Sequence, residues 1–354
     1  MKSGLPSGIV HLMDIKIPDF LVRHCENVGR CQCANPFQVE IPAPSFSPEW
    51  IAERQAEIRR LKEKHQAIIL AHNYQIKEIQ DVADYLGDSL GLARQAAKTD
   101  AKVILFCGVN FMAETAKILN PDRTVILPDA DAGCSLEECC PAEELRKLKE
   151  KHPELYDVSY INCSAGVKAL SDVICTSGNA DKIVAASPKD RPIRFAPDQN
   201  LGSWVMEKTG REMLLWPGYC YVHTQFTAEA IAEEKKKHPG ARVVAHPECT
   251  APVRRSADEV CSTEKMITYC RTQPAEEFII VTEVNIIHRL RKELPDKKFY
   301  SLPIKGYQPE CKHMMKNTLD KMINAFNEMK PQIRLPADII ARARAPIERM
   351  LELS

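Results

Sequence analysis

Val125-Ile126-Leu127-Pro128-Asp129-Ala130-Asp131-Ala132-Gly133-Cys134 opens as a short apolar strand and closes, after a polar turn, on a cysteine. The chain has two echoes of it. Leu214-Leu215-Trp216-Pro217-Gly218-Tyr219-Cys220 is one; Phe299-Tyr300-Ser301-Leu302-Pro303, which runs through a loop to Cys311, is the other. The three cysteines stand 86 and 91 residues apart, too far for a local zinc knuckle. They meet only if three units of that length pack around a common axis.

Outward from these strands the units keep register. Asp84, Asp172 and Asp258 recur at 88 and 86 residues. Five residues after each comes a hydroxyl, at Ser89, Ser177 and Thr263, and 22 or 23 after each comes a strand residue, at Phe106, Phe195 and Ile280. A fixed period of this kind marks an internal repeat. Each unit begins with a continuous apolar run: Ala67-Ile68-Ile69-Leu70-Ala71, Val158-Ser159-Tyr160-Ile161 and Arg242-Val243-Val244-Ala245. Such runs suit parallel strands buried on both faces. With helical patterns between them, the units read as small α/β domains, each αβα in section.

The expected layout is an irregular N-terminal arm over 1–48, units over 49–140, 141–224 and 225–311, and C-terminal helices over 312–354. A helix is expected from Trp50 to Lys64, where Ile51, Ile58 and Leu61 recur at helical spacing. The last segment, Ala337 to Leu353, is expected to break or kink at Pro346 and to pack on the first unit.

Composition narrows the function. Lys and Arg number 48, as do Asp and Glu, so no net field draws nucleic acid or an anionic membrane. No apolar run is long enough to span a bilayer, and the first residues do not read as a signal peptide. Fourteen cysteines in such a chain fit a reduced cytoplasm and metal or cluster ligation better than disulfides. Cys25, Cys31 and Cys33 of the arm read as incidental thiols, and Cys107, Cys163, Cys175, Cys249, Cys261 and Cys270 as small buried side chains.

In open parallel sheets, ligands bind beyond the carboxyl ends of the strands. There the sequence places His72, Asn73 and Tyr74, then Asn162, then His246 and Glu248, together with the three hydroxyls. Three converging cysteines admit a [4Fe–4S] cluster with one open iron, a zinc ion completed by His223, or no metal. A redox carrier would call for a fourth cysteine, and a zinc hydrolase for further His or carboxylate ligands.

Several stretches together resemble one family: Ala71-His72-Asn73-Tyr74-Gln75, Gly108-Val109-Asn110-Phe111-Met112-Ala113-Glu114-Thr115-Ala116-Lys117, Ala132-Gly133-Cys134-Ser135, Cys175-Thr176-Ser177, Trp216-Pro217-Gly218-Tyr219-Cys220 and His246-Pro247-Glu248-Cys249. Over residues 50–354 the chain resembles the quinolinate synthase (NadA) family of NAD biosynthesis. The resemblance implies three αβα domains in pseudo-threefold arrangement with the active site at their junction. It implies a [4Fe–4S] cluster on Cys134, Cys220 and Cys311 with one iron open as a Lewis acid. The implied reaction joins iminoaspartate and dihydroxyacetone phosphate into quinolinate, phosphate and two waters, with an iminoaspartate-producing enzyme as a possible functional partner.

Strand-end position and the resemblance together assign roles. Tyr74, Glu248 and His246 are the catalytic candidates; His72, Ser89, Tyr160, Asn162, Ser177, Ser262 and Thr263 would bind substrate. Two departures from the family pattern stand out. Glu264 follows Cys261-Ser262-Thr263, where Ser is usual, and is expected to point to solvent. Asn285 replaces a glycine and is expected to take a left-handed turn.

Overall fold

The computed structural model describes residues 12, 15–33 and 46–354, with side chains omitted for 30–33. The Cys31 and Cys33 thiols therefore lie outside the described residues. Among the described residues twelve strands form three four-stranded sheets, every pairing within them parallel. The first holds β1 (Ala67–His72), β2 (Tyr85–Gly87), β3 (Val103–Cys107) and β4 (Thr124–Ile126), in the order β2-β1-β3-β4. The second holds β5 (Tyr156–Tyr160), β6 (Val173–Cys175), β7 (Ile193–Ala196) and β8 (Met213–Leu215), in the order β6-β5-β7-β8. The third holds β9 (Arg242–Ala245), β10 (Glu259–Val260), β11 (Glu277–Val281) and β12 (Lys298–Ser301), in the order β10-β9-β11-β12.

The apolar runs behave as two-faced strands. Leu70, Ile104, Phe106 and Val125 enter one core, while Ile69, Ala71, Leu105 and Ile126 enter another on the opposite face. Alternation along each strand divides the residues in this way. Val244, Phe278 and Ile280 are separated likewise from Val243, Ile279 and Val281.

The recurring aspartates have a structural task. The Asp84 carboxylate accepts the Ile69 amide at 2.8 Å, Asp172 that of Asp157 at 2.7 Å, and Asp258 that of Val243 at 2.7 Å. Each aspartate's own amide donates back to the same residue's carbonyl. This reciprocal clasp joins the first strand of a sheet to the segment entering its edge strand. It also leaves the hydroxyl five residues later beside the strand ends.

Three expectations need correction. The edge strands β2, β6 and β10 were not anticipated, because two or three residues carry no periodic signal. The arm is not irregular throughout: Asp19–Cys33 is a helix, and Leu21 and Cys25 bury against Cys139 and Trp216. The helix Ala337–Glu352 runs through Pro346 without breaking. It packs on β6 and helix Ala165–Lys168 of the second unit as well as on helix Asn110–Leu119 of the first. The first unit is also covered by helix Leu319–Glu328, which lies on helix Pro48–Lys64. Among the described residues no helix is long and apolar enough to cross a membrane.

Candidate active site

One pocket is lined by residues that follow strands of all three sheets. The first contributes His72, Tyr74, Ser89 and Cys134; the second Tyr160, Asn162, Ser177 and Cys220; the third His246, Glu248, Thr263 and Cys311. Twelve of the thirteen anticipated residues therefore face one space. Ser262 stands behind it, its hydroxyl donating to the carboxylate of Asp88 at 3.4 Å.

The hydroxyls are not consumed by helix capping. Asp88, not Ser89, caps helix Ser89–Lys98 by accepting the Gly91 amide at 2.9 Å. Thr263 is the first residue of its helix, and Ser262 at the cap accepts no amide. Ser177 precedes the cap residue Asn179. Ser89 and Thr263 thus sit at starts of ten-residue helices, where unpaired amides and the helix dipole favour anions.

His72 and His246 are bound alike. The Nδ1 of His72 accepts the Tyr74 amide at 3.2 Å, and that of His246 accepts the Glu248 amide at 3.3 Å. Burial lowers both imidazoles to about 3, so they are neutral at physiological pH. A neutral ring that accepts at Nδ1 carries its proton on Nε2. Each histidine is therefore a fixed neutral donor.

The acid and base candidates form one chain. The Tyr74 hydroxyl lies 2.5 Å from Oγ1 of Thr282, which lies 2.8 Å from Nε2 of His223. Nδ1 of His223 lies 2.8 Å from Oε2 of Glu248, and the Tyr160 hydroxyl donates to Oε1 of Glu248 at 2.6 Å. Burial works against the Glu248 charge, but the His223 ring and the two hydrogen bonds hold the carboxyl below the usual range. Burial, reinforced by Glu248, keeps Tyr74 and Tyr160 protonated. Thr282 was not among the anticipated residues, although it directly follows β11 and the strand-end rule would have found it. Asp88 was overlooked as well; burial raises its carboxyl to about 6.

Both departures from the family pattern resolve differently from expectation. Asn285 adopts φ −67°, an ordinary right-handed conformation. Its amide and side chain instead bind the Glu283 carboxylate, each at 2.8 Å. Glu264 is not released to solvent: it pairs with Arg289 and accepts from Asn73 at 3.2 Å.

The cysteines bear on the cofactor. Cys134, Cys220 and Cys311 are partly exposed and all open on the pocket, whereas the other cysteines with described side chains are buried. A single tetrahedral zinc needs thiolate sulfurs only ~3.8 Å apart, given bonds of about 2.3 Å. Among the described residues, the ligand atoms that lie within 4.8 Å of one another belong to Cys220, His223 and Glu248, not to the three cysteines. Three thiols spread around one cavity fit a larger inorganic group better than one ion. Within the Cys220–His223–Glu248 set, Nδ1 of His223 already lies within hydrogen-bond reach of both Glu248, at 2.8 Å, and Cys220 Sγ, at 3.2 Å.

These sheets and this pocket define the class: an α/β protein whose strand ends carry a hydrogen-bonded Tyr–Thr–His–Glu chain and three thiols to one pocket. Residues 56–352 match the family model described as quinolinate synthetase A protein. Proteins named quinolinate synthase are similar over most of the chain. That of Prochlorococcus marinus (strain MIT 9303) is 50% identical over 314 residues, covering 88% of this chain and 93% of the relative. That of Cyanophora paradoxa is 52% identical over 300 residues, covering 84% and 91%. That of Thermosynechococcus vestitus is 52% identical over 302 residues, covering 84% and 95%. The chain belongs to the quinolinate synthetase A family.

Proposed function

We propose that the chain condenses iminoaspartate with dihydroxyacetone phosphate, giving quinolinate, phosphate and two waters. The atoms balance, and the reaction needs no external oxidant or reductant. In this reading residues 49–140, 141–224 and 225–311 are pseudo-threefold-related domains with the active site at their junction. Residues 1–48 are an arm and 312–354 a C-terminal cover. The observation that carries the reading is the pocket itself, where neutral donors, an acid–base chain and three thiols from all three sheets converge.

Cys134, Cys220 and Cys311 would hold a [4Fe–4S] cluster, whose fourth iron supplies Lewis acidity toward a leaving hydroxyl. The protein's own groups do the rest. His72, His246, Ser89, Ser177 and Thr263 donate to carboxylate and phosphate oxygens, while Tyr160 and Asn162 orient the intermediate. Thr282 and His223 join Tyr74 to Glu248 through hydrogen bonds at the Thr282 hydroxyl and the two ring nitrogens of His223. Glu248, held ionised, takes a substrate proton, and Tyr74, held protonated, delivers one to the carbonyl oxygen during the keto–aldo isomerisation of the triose.

The test is iron and acid-labile sulfide in anaerobically purified protein, together with quinolinate formation. About four of each per chain, lost in Cys134→Ala, Cys220→Ala and Cys311→Ala but kept in Cys107→Ala, is the expected result. Zinc without sulfide, or a cluster that survives loss of any of the three, refutes it.

A further inference from the structure

Thr263 carries one hydroxyl into the pocket, and whether it gives or takes a hydrogen bond there depends on what holds its other side. Asn73 does. This residue is fully buried, and its side-chain amide lies between Arg289 and Thr263. Nη1 of Arg289 donates to Asn73 Oδ1 at 2.7 Å. A guanidinium has no acceptor, so the amide must turn its oxygen to Arg289 and its NH2 the other way. That NH2 meets Thr263 Oγ1 at 3.0 Å and Glu264 Oε1 at 3.2 Å. An NH2 can only donate, so Thr263 accepts on this side. Its own proton remains for the pocket.

Arg289 is itself held. Glu264 pairs with it through both carboxylate oxygens, and Nε reaches Glu293 at 2.6 Å. The guanidinium is thus anchored on its own sheet's helices and reaches across to a residue that follows β1. We propose that Arg289 and Asn73 are positioning residues that make Thr263 an obligate hydrogen-bond donor to an anionic substrate group. Glu264, which departs from the usual family residue, locks the arrangement. The inference rests on Thr263 contacting substrate, as read above.

The test is the affinity of cluster-loaded protein for quinolinate, measured anaerobically by calorimetry. Thr263→Val removes the donor and is expected to weaken binding about tenfold, the worth of a hydrogen bond to a charged group. Asn73→Asp keeps the shape and the Arg289 contact, but its carboxylate accepts from Thr263 and turns the hydroxyl away from the pocket. It is expected to weaken binding as much as Thr263→Val does, and Thr263→Val added to it is expected to cost nothing further. Asn73→Ala, which frees the hydroxyl to rotate, is expected to cost less than Asn73→Asp. A packing role predicts the reverse order, since Ala leaves a cavity and Asp does not.

Additive losses, or Ala worse than Asp, would overturn the inference while leaving Thr263 a substrate contact. No loss in Thr263→Val alone would overturn the substrate assignment itself. Should Asn73→Asp fail to fold, Arg289→Gln serves. It lets the amide flip, and weaker binding that vanishes in a Thr263→Val background supports the same mechanism. Unchanged binding refutes it.

Discussion

Replacing Thr282 with valine isolates the link on which the acid–base reading depends. The side chain is fully buried and valine matches its shape, so packing is kept and one hydroxyl is lost. Two partners lose their hydrogen bonds together: the Tyr74 hydroxyl, 2.5 Å away, and Nε2 of His223, 2.8 Å away. Each buried group left unsatisfied costs about 1–3 kcal/mol, so with two such groups the unfolding free energy should fall by ~2–6 kcal/mol. The effect on turnover should be larger in proportion. General acid–base transfer contributes about 10²–10⁴-fold, and Thr282 is the only hydrogen-bonded connection between Tyr74 and the His223–Glu248 pair among the contacts described here. A fall in kcat of at least ~100-fold follows, with little change in KM because the anion donors are untouched. The assay is anaerobic quinolinate formation at matched iron and sulfide content, with Thr282→Ser as the rescue that restores the hydroxyl. A valine variant that keeps its cluster and turns over within about threefold of wild type would refute the relay.

Three further outcomes follow from burial and charge. Asp172→Ala opens the clasp on the Asp157 amide and should lower stability by about 1–3 kcal/mol without altering quinolinate affinity, read by denaturant unfolding and calorimetry. Leu21→Ala removes a buried anchor of the arm helix and should cost ~2–4 kcal/mol, with KM unchanged; an unchanged unfolding midpoint would show that the helix does not bury its face there. Asp88 gives a pH signature. Burial raises its folded pKa to about 6 from 3.8, so the folded state binds the proton more tightly and ionisation destabilises it. That cost is absent below the unfolded pKa, develops as pH rises toward about 6, and is constant above, reaching roughly 3 kcal/mol at ~1.4 kcal/mol per unit. Asp88→Asn should therefore gain stability relative to wild type between pH ~4 and ~6, and a difference that does not change across that range would refute the buried ionisation.

Much of the site was legible because the repeats share one geometry. A strand buried on both faces shows itself as a continuous apolar run, and the residue after it lies at the ligand-binding edge. His72, Tyr74, Tyr160, Asn162, His246 and Glu248 could be found that way, and all six line the pocket. The spacing of Asp84, Asp172 and Asp258 marked the register for a local reason, since each clasps a strand fifteen residues away. The missing edge strands are the counterpart. β10 has two residues, and only its pairing with β9 makes it a strand.

Taken alone, then, the sequence determined the central strands of each unit, the three cysteines and the polar strand ends, because each is written in contiguous residues. The tertiary structure decided how those residues join. Thr282 and His223 are 59 positions apart, Asn73 and Arg289 are 216 apart, and Cys25 and Cys139 are 114 apart. Hydrogen-bond direction, the protonation of buried groups and the packing of the arm helix all depend on which distant atoms come within about 3 Å. Sequence spacing carries no information about that distance until the chain has folded.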